Sequence, residues 1–326
     1  MRTSSNFLKN LNKTFLIVLM LFASISLQAQ NRENGEMKIV QISPSEVFEE
    51  ALRIEAEVKV LQEAFGIKTS DKKIDISNIY VRGNFKSKHV WELGYMLNVK
   101  LNIFRTKHNL PRIEEVGREP VSRVNPNLPY GMLKRVENEI QILKKFFDIT
   151  KRAAKIEKQR AKTAEDVFNK LLQISKELDY LSQQPTEPSS VFAQVMRVYQ
   201  DISSMLNILN ITDNTVPPQK NEDSKPKDSL AELHKLMKYI KKLQRMKDIS
   251  RTDFSGLEKK NITPEETFIF VGMINAEIQI LKSHLGLNHD VTPAAKVYGE
   301  KTPSDVEQLI GWTIRRINLI KDLEVQ

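Results

Sequence analysis

The sequence predicts an all-α protein made of four repeated antiparallel helical hairpins, about eight helices in all. One pattern recurs without a gap and begins each time at a proline: Pro44 to Ile67, Pro126 to Ile149, Pro188 to Ile211 and Pro264 to Leu287. The composition agrees, since 40% hydrophobic residues and only 11 glycines are ordinary for a helical protein. Hairpins of this kind form either an α-solenoid-like array or a closed helical bundle.

The first helix of each repeat is predicted by apolar residues at alternating steps of four and three. In the first copy these residues are Val47, Ala51, Ile54, Val58, Leu61 and Phe65. Such spacing aligns the side chains along one helix face. That face has to be buried against partner helices.

The ends of these helices have characteristic residue types. Ser43 with Glu46 and Thr263 with Glu266 fit the capping box, in which two side chains satisfy each other's backbone amides. Asn125 also stands before a proline and is predicted to cap its helix. Four residues near the C-termini suit a left-handed helix stop: Gly66, Asp148, Asn210 and Gly286.

A second helix is predicted in each repeat, beginning near Ser87, Thr163, Lys225 and Thr302. The four hairpins then occupy residues 44–105, 126–182, 183–248 and 249–326. Linkers are predicted at residues 30–43 and 106–125, the latter because it contains two prolines and a glycine.

Residues 1–29 are predicted to be a secretory signal peptide. Basic residues precede an apolar run from Phe15 to Leu27, and Ala29 offers a cleavage site. The run is short for a bilayer span. We expect a periplasmic or secreted protein with no transmembrane span in the mature chain, the alternative being an uncleaved N-terminal membrane anchor.

The chain has no cysteine, which excludes disulfides, thiolate nucleophiles and zinc–thiolate sites. Its formal net charge is +9, part of which lies in the leader, so the mature chain is mildly basic. Nucleic acid is not expected as a partner, because the protein is predicted to be secreted and its basic runs lack interleaved aromatic residues.

Basic residues concentrate in two places. The loop of the second hairpin includes Lys151, Arg152 and Lys155. The second helix of the third hairpin includes Lys238, Lys241, Lys242 and Arg245. These residues either attract an anionic lipid or polysaccharide or form solvated surfaces, and the absence of aromatic neighbours favours solvated surfaces.

A charged pair recurs beside the apolar seam: Arg53 with Glu57, Arg135 with Glu139, and Arg197 with Asp201, while the fourth copy keeps only the acid, Glu277. The acids could line a groove for cationic or hydroxyl-rich ligands, or they could form interhelical ion pairs. We expect ion pairs, because positions that flank a heptad seam are commonly charged.

The connection from Lys68 to Lys86 is unusually apolar for a loop. It contains Tyr80, Arg82 and Phe85. Because loops often carry binding residues, these three are predicted to belong to a recognition element.

The sequence contains no motif for nucleophilic, phosphate-loop or metallopeptidase chemistry. His284, His289 and Asp290 come nearest to a metal site but lack a further ligand, so neither a metal nor a cofactor is expected. The leading hypothesis is a non-enzymatic envelope protein that binds a partner protein or peptide as a scaffold module. The alternative is binding of a polyanion or lipid surface, and an enzyme acting on envelope carbohydrate comes third.

Overall fold

The computed structural model describes residues 41–67, 82–255 and 262–321. The helices of this part of the chain are α1 (Pro44–Ala64), α2 (Ser87–Lys107), α3 (Asn127–Phe146), α4 (Ala164–Ser182), α5 (Pro188–Ile208), α6 (Pro226–Met246), α7 (Pro264–His284) and α8 (Pro303–Lys321). Two short strands, β1 (Arg82–Gly83) and β2 (Phe254–Ser255), pair in antiparallel fashion. The all-α class is confirmed. The signal peptide predicted at 1–29 lies outside the described residues.

The predicted capping boxes are present at the start of α1 and α7. In α1, Ser43 Oγ accepts the Glu46 N–H at 3.3 Å, and Glu46 Oε2 accepts the Ser43 N–H at 2.8 Å. The start of α3 differs slightly from the prediction, because Asn125 Oδ1 accepts the N–H of Asn127, the first helical residue, at 3.0 Å. The caps therefore fix where the helices begin.

The left-handed helix stops are also confirmed. The φ angles are +67° at Gly66, +54° at Asp148, +55° at Asn210 and +83° at Gly286. At the end of α1, the Ile67 N–H donates to the Gln62 carbonyl at 2.8 Å, which closes a Schellman-type turn. The chain therefore leaves each of these helices in a defined direction.

The helices pack as two closed bundles. We call α1 to α4 bundle 1 and α5 to α8 bundle 2. In bundle 1, α1 packs against α3 and α4, α2 packs against the same two, and α1 and α2 lie across the diagonal. Bundle 2 repeats this arrangement with α5 in the place of α1. Two consecutive repeats thus close one bundle.

Within each bundle the helices run in the same direction, which differs from the antiparallel pairing that we predicted. In bundle 2 the first turns of all helices meet around one small gap lined by Pro188, Pro226, Pro264 and Pro303. In bundle 1 the Ile42 N–H donates to Asn127 Oδ1 at 3.0 Å, and the Lys162 N–H donates to Ser45 Oγ at 3.1 Å. These hydrogen bonds bring the starts of α1, α3 and α4 together.

Long return segments make this parallel arrangement possible. Extended chain covers roughly 3.3 Å per residue whereas a helix rises only about 1.5 Å, so a connection such as 149–163 can span a whole helix. This segment runs back along α1, because Lys151 pairs with Glu63 near the end of α1 and the Gln159 N–H donates to Glu49 near its start. Apolar periodicity predicts which face is buried but carries no information about direction.

The apolar seams form the core of each bundle. Ala51, Ile54, Val58 and Leu61 of α1 are all fully buried, and the seams of the other first helices are buried to the same degree. Full burial of one such aliphatic side chain contributes about 2 kcal/mol. Among the described helices, none is both long enough and apolar enough to cross a bilayer.

Helices α2 and α7 join the two bundles. Lys88, near the start of α2, lies 2.7 Å from Glu277, late in α7, whereas Lys100, late in α2, lies 2.9 Å from Glu265 at the start of α7. The two helices are therefore antiparallel. As a result, the N-terminal end of bundle 1 lies beside the C-terminal end of bundle 2.

Candidate functional site

A cleft of about 560 Å³ lies at the junction of the bundles and is called here the basic cleft. It lies between the first turns of α2, α3 and α4 and the last turns of α6 and α7. Its lining includes Lys86, Ser87, Lys88, Ser122, Arg123, Val124, Pro126, Ala164, Asp248, Ile249, Ser250, Ile280 and His284. The parallel packing of bundle 1 is what brings three helix starts to one place.

The electrostatics of the basic cleft favour anions. Lys86 and Arg123 supply its cations, Asp248 is the one acid among its lining residues, and Lys88 is buried and already paired with Glu277. Arg123 is exposed and forms no ion pair within the described part of the chain. The first-turn backbone N–H groups of α2, α3 and α4 carry partial positive charge, while the last turns of α6 and α7 on the opposite wall carry partial negative charge.

Short local contacts hold the cleft wall in place. Lys86 Nζ donates to Ser250 Oγ at 2.8 Å, which links the start of α2 to the segment after α6. His89 Nδ1 accepts the N–H of Lys86 at 3.0 Å, so this histidine caps α2 in the position that usually holds Glu or Gln. The wall is thus built across both bundles.

A buried ionic cluster forms the floor beneath Lys86. Glu277 accepts hydrogen bonds from Lys88 Nζ at 2.7 Å, His89 Nε2 at 2.8 Å and Gln244 Nε2 at 2.6 Å. Burial lowers the pKa of His89, which stays neutral because Nδ1 accepts and Nε2–H donates. Burial opposes the charge on Glu277, but the hydrogen bond from His89 and the charge of Lys88 outweigh it and lower the pKa of this carboxyl well below its usual range.

The middle of the α2–α7 junction is closed by a second buried cluster. Arg118 and Arg197 both bond to the carboxylate of Glu92. The Arg118 guanidinium lies 4.4 Å from the Trp91 ring centroid, and that of Arg197 lies 4.2 Å from the Tyr95 ring centroid. These contacts join the 106–125 linker and α5 to α2. The Trp91 ring therefore packs against Arg118.

A second cleft of about 290 Å³ lies at the opposite end of the α2–α7 junction. Its lining is mixed in character and includes Ile103, Lys107, Arg112, Glu115, Glu187, Lys296, Val297 and Tyr298. Cations and acids are both present, and Arg112 is already paired with Glu115 at 3.0 Å. This cleft therefore has no clear charge preference.

The predicted recognition element in the first long connection is only partly described. Tyr80 lies outside the described residues, and Arg82 belongs to β1 without a described side chain. Phe85 is buried and stacks on Phe168 with ring centroids 4.1 Å apart. Its ring is thus part of the bundle 1 core. Lys86, one residue further on, is the residue of this connection that lines the cleft.

The two predicted basic clusters lie on the surface, apart from the cleft lining. Lys151, Arg152 and Lys155 are exposed on the return segment beside α1, and Lys151 pairs with Glu63. On α6, Lys238, Lys242 and Arg245 are exposed, while Lys241 is partly buried and lies 3.4 Å from Asp253. We call Lys238, Lys242 and Arg245 the α6 stripe.

The recurring acids beside the seams form interhelical ion pairs, as we expected. Glu57 of α1 pairs with Lys144 of α3 at 2.5 Å, and Asp201 of α5 pairs with Lys282 of α7 at 2.6 Å. Glu139 of α3 pairs with Arg105 of α2 at 3.6 Å, so the partners of these acids are cations of neighbouring helices instead of the arginines one turn away. Within the described residues, the helices of each bundle close over their own seam, so these acids take part in packing between helices.

Sequence patterns did not reveal the basic cleft. Lys86, Arg123 and His284 come from three separate segments, and none of them belongs to a motif. The one local indication was that Lys86 precedes a predicted helix. Among the described residues, no group of three or more histidine, aspartate or glutamate side chains is placed to hold a metal ion.

The described fold defines a class of architecture, a pair of parallel four-helix bundles joined in antiparallel orientation. No protein-family model, curated protein or solved structure matches this chain.

Proposed function

We propose that this protein is a non-enzymatic binding protein of the cell envelope, and that its basic cleft accepts an acidic peptide segment of a partner protein. The observation that carries the proposal is the cationic lining of a large open cleft between two bundles. The envelope location is inferred from the leader-like residues 1–29 alone.

Because the interiors of both bundles are filled, a binding site is expected at the junction between them. A helix-in-groove mode needs an unfilled apolar groove, whereas the seams of both bundles are fully buried by their own helices. The clefts at the two ends of the α2–α7 junction remain accessible. Of these, the basic cleft is the larger, and one acid lines it beside the cations Lys86 and Arg123, whereas two acids, Glu115 and Glu187, line the smaller cleft.

The chemistry of the lining favours a peptide over a small inorganic anion. Beside the cations lie Val124, Ile249 and Ile280, which offer apolar contact, and Ser87 and Ser250, which offer hydroxyl groups. A segment with carboxylates next to apolar side chains satisfies both kinds of lining. A volume of about 560 Å³ accommodates several such residues.

A binding role also fits the state of the ionisable groups beneath the cleft. Glu277, Lys88 and His89 are all buried, and both Lys88 and His89 donate hydrogen bonds to Glu277. A general base must be able to reach the proton that it abstracts. Because the Glu277 carboxylate already accepts hydrogen bonds from Lys88 and His89, these groups support a structural role for the cluster instead of a role in proton transfer.

The proposal is tested with fluorescent peptides in which glutamates alternate with leucines. We expect the wild-type protein to bind them, and the Lys86→Gln/Arg123→Gln variant to bind about tenfold more weakly because two cleft charges are lost. The matched control is Lys238→Gln/Lys242→Gln, which removes the same charge from the α6 stripe. An equal loss of affinity in both variants would overturn the cleft as the site.

A second candidate function is polyanion binding along the α6 stripe. Its three cations are spaced by four and three residues, are exposed, and have no acidic partner within the described residues. A sulfated polysaccharide tests this candidate with the same variants. Here we expect Lys238→Gln/Lys242→Gln to weaken binding and to flatten its salt dependence, while Lys86→Gln/Arg123→Gln has little effect.

A further inference from the structure

The end of α3 presents large apolar side chains to solvent among cations. Phe146 is 61% exposed and Ile142 is 51% exposed. They are four residues apart and therefore share one helix face. Lys145 and Arg152 are exposed nearby in the chain and form no ion pair within the described residues. We call these four residues the apolar–basic patch.

The patch is specific to the second repeat. Phe146 stands twenty positions after Pro126, and the corresponding residues are Ala64, Ile208 and His284 in the other copies. The stretch that follows is also distinctive, since residues 144–162 contain eight basic and two acidic side chains. The corresponding stretch in the third repeat, residues 206–224, has one basic and three acidic side chains. Apolar exposure and positive charge thus coincide in one repeat.

The cations of this stretch extend along the outside of bundle 1. Lys151 contacts Glu63 at one end of α1, and the Lys162 ammonium lies 4.7 Å from the Phe48 ring centroid at the other end. Between these anchors Lys155, Lys158 and Arg160 are exposed. The patch is therefore the apolar end of a longer positive surface.

We propose that this surface docks on an anionic lipid membrane, with Phe146 and Ile142 entering the interface and the cations binding headgroups. Both the charge and the shape of this surface favour an anionic membrane as its partner. An aromatic and an aliphatic side chain on one helix face, surrounded by cations, match the interfacial zone of a bilayer, where apolar groups are buried and anionic headgroups lie beside them. The apolar–basic patch and the basic cleft are different surfaces, so membrane docking and peptide binding can each be disproved independently of the other.

Vesicle co-sedimentation tests the inference, using the chain from Gln30 onward, which keeps the whole compact unit from Ile42 and omits the apolar leader. Vesicles of phosphatidylcholine alone are compared with vesicles that also contain phosphatidylglycerol. We expect binding to the mixed vesicles, weakened by salt, and little binding to phosphatidylcholine alone. Absence of binding to the mixed vesicles, or equal binding to both, would overturn the proposal.

Three variants separate the contributions. Ile142→Ser/Phe146→Ser should weaken binding to mixed vesicles about tenfold, because both apolar side chains lose their burial. Lys145→Gln/Arg152→Gln should weaken it by about fivefold per cation removed. The control is Ile208→Ser, which is as exposed as Ile142 and stands at the repeat position of Phe146, but is not followed by a basic stretch. An effect of the control as large as that of the double apolar variant contradicts the proposal. All four proteins should unfold at similar temperatures, because the altered residues are on the surface.

Discussion

Gly272 of α7 lies so close to Met96 of α2 that a β-carbon built on the glycine would be 2.4 Å from the methionine sulfur. Met96 is buried, and the contact lies in the middle of the helix pair that joins the two bundles. Close approach of these helices thus depends on a missing side chain. The junction in turn sets the shape of both clefts.

We predict that Gly272→Ala destabilises the protein by about 1 to 2 kcal/mol. Alanine is favoured over glycine in a helix interior by about 1 kcal/mol, but the flexible Met96 thioether is buried and has to move aside within the core, and such overpacking costs about 1 to 3 kcal/mol. The control is Gly131→Ala in α3, where a β-carbon would meet nothing within 4 Å. This control should gain about 0.5 to 1 kcal/mol. Urea unfolding measures both, and a gain in stability from Gly272→Ala would contradict the close contact.

The buried cluster beneath the cleft yields a second prediction. Glu277→Gln should destabilise the protein by about 3 kcal/mol, because it leaves the buried ammonium of Lys88 without its counter-charge. Adding Lys88→Met to that variant should recover part of the loss. A double-mutant cycle from chemical denaturation gives the coupling energy. Simple additivity of the two substitutions would show that the pair is not coupled.

The features that could be predicted from the sequence are those that depend on residues close together in the chain. The residues that begin and end α1, Ser43 and Gly66, act on backbone groups a few positions away, so their roles could be predicted. The direction of packing is not local, because it depends on where a return segment such as 149–163 lies. The basic cleft could not be predicted from the sequence for the same reason, because Arg123 and His284 line one cleft only after both bundles have formed.

A pH dependence follows from the ionic contact at the other end of the junction. Lys100 lies 2.8 Å from Asp179 and 2.9 Å from Glu265. Burial and the nearby charge of Glu265 outweigh the attraction of Lys100 and raise the pKa of Asp179 to about 6. Since an aspartate in the unfolded chain has a pKa near 3.8, the folded protein binds more protons between these two values.

The free energy of unfolding contributed by Asp179 should therefore fall as the pH rises from about 4 to about 6. Asp179→Asn removes this titration, so the variant should show a smaller fall in stability over that window than the wild type. Denaturant titrations at several pH values measure the difference. Identical pH profiles for the two proteins would argue against a raised pKa at this residue.

The parallel direction of the helices can be tested with a disulfide, since the chain contains no native cysteine. Val191 of α5 and Thr267 of α7 line the same gap at the start of bundle 2. We expect Val191→Cys/Thr267→Cys to oxidise readily. The matched pair, Val191→Cys/Leu281→Cys, should stay reduced because residue 281 lies about 21 Å further along α7. Oxidation of the second pair in preference to the first would indicate antiparallel packing.

Binding of an acidic peptide in the basic cleft is tested by photo-cross-linking such a peptide to the wild-type protein, followed by mass spectrometry of the linked segments. We expect cross-links to residues 122–126, 248–250 and 284, which line the basic cleft from both bundles. Excess unlabelled peptide should abolish these cross-links. Cross-links confined to residues 238–245 of the α6 stripe, or spread evenly over the surface, would contradict binding in the cleft.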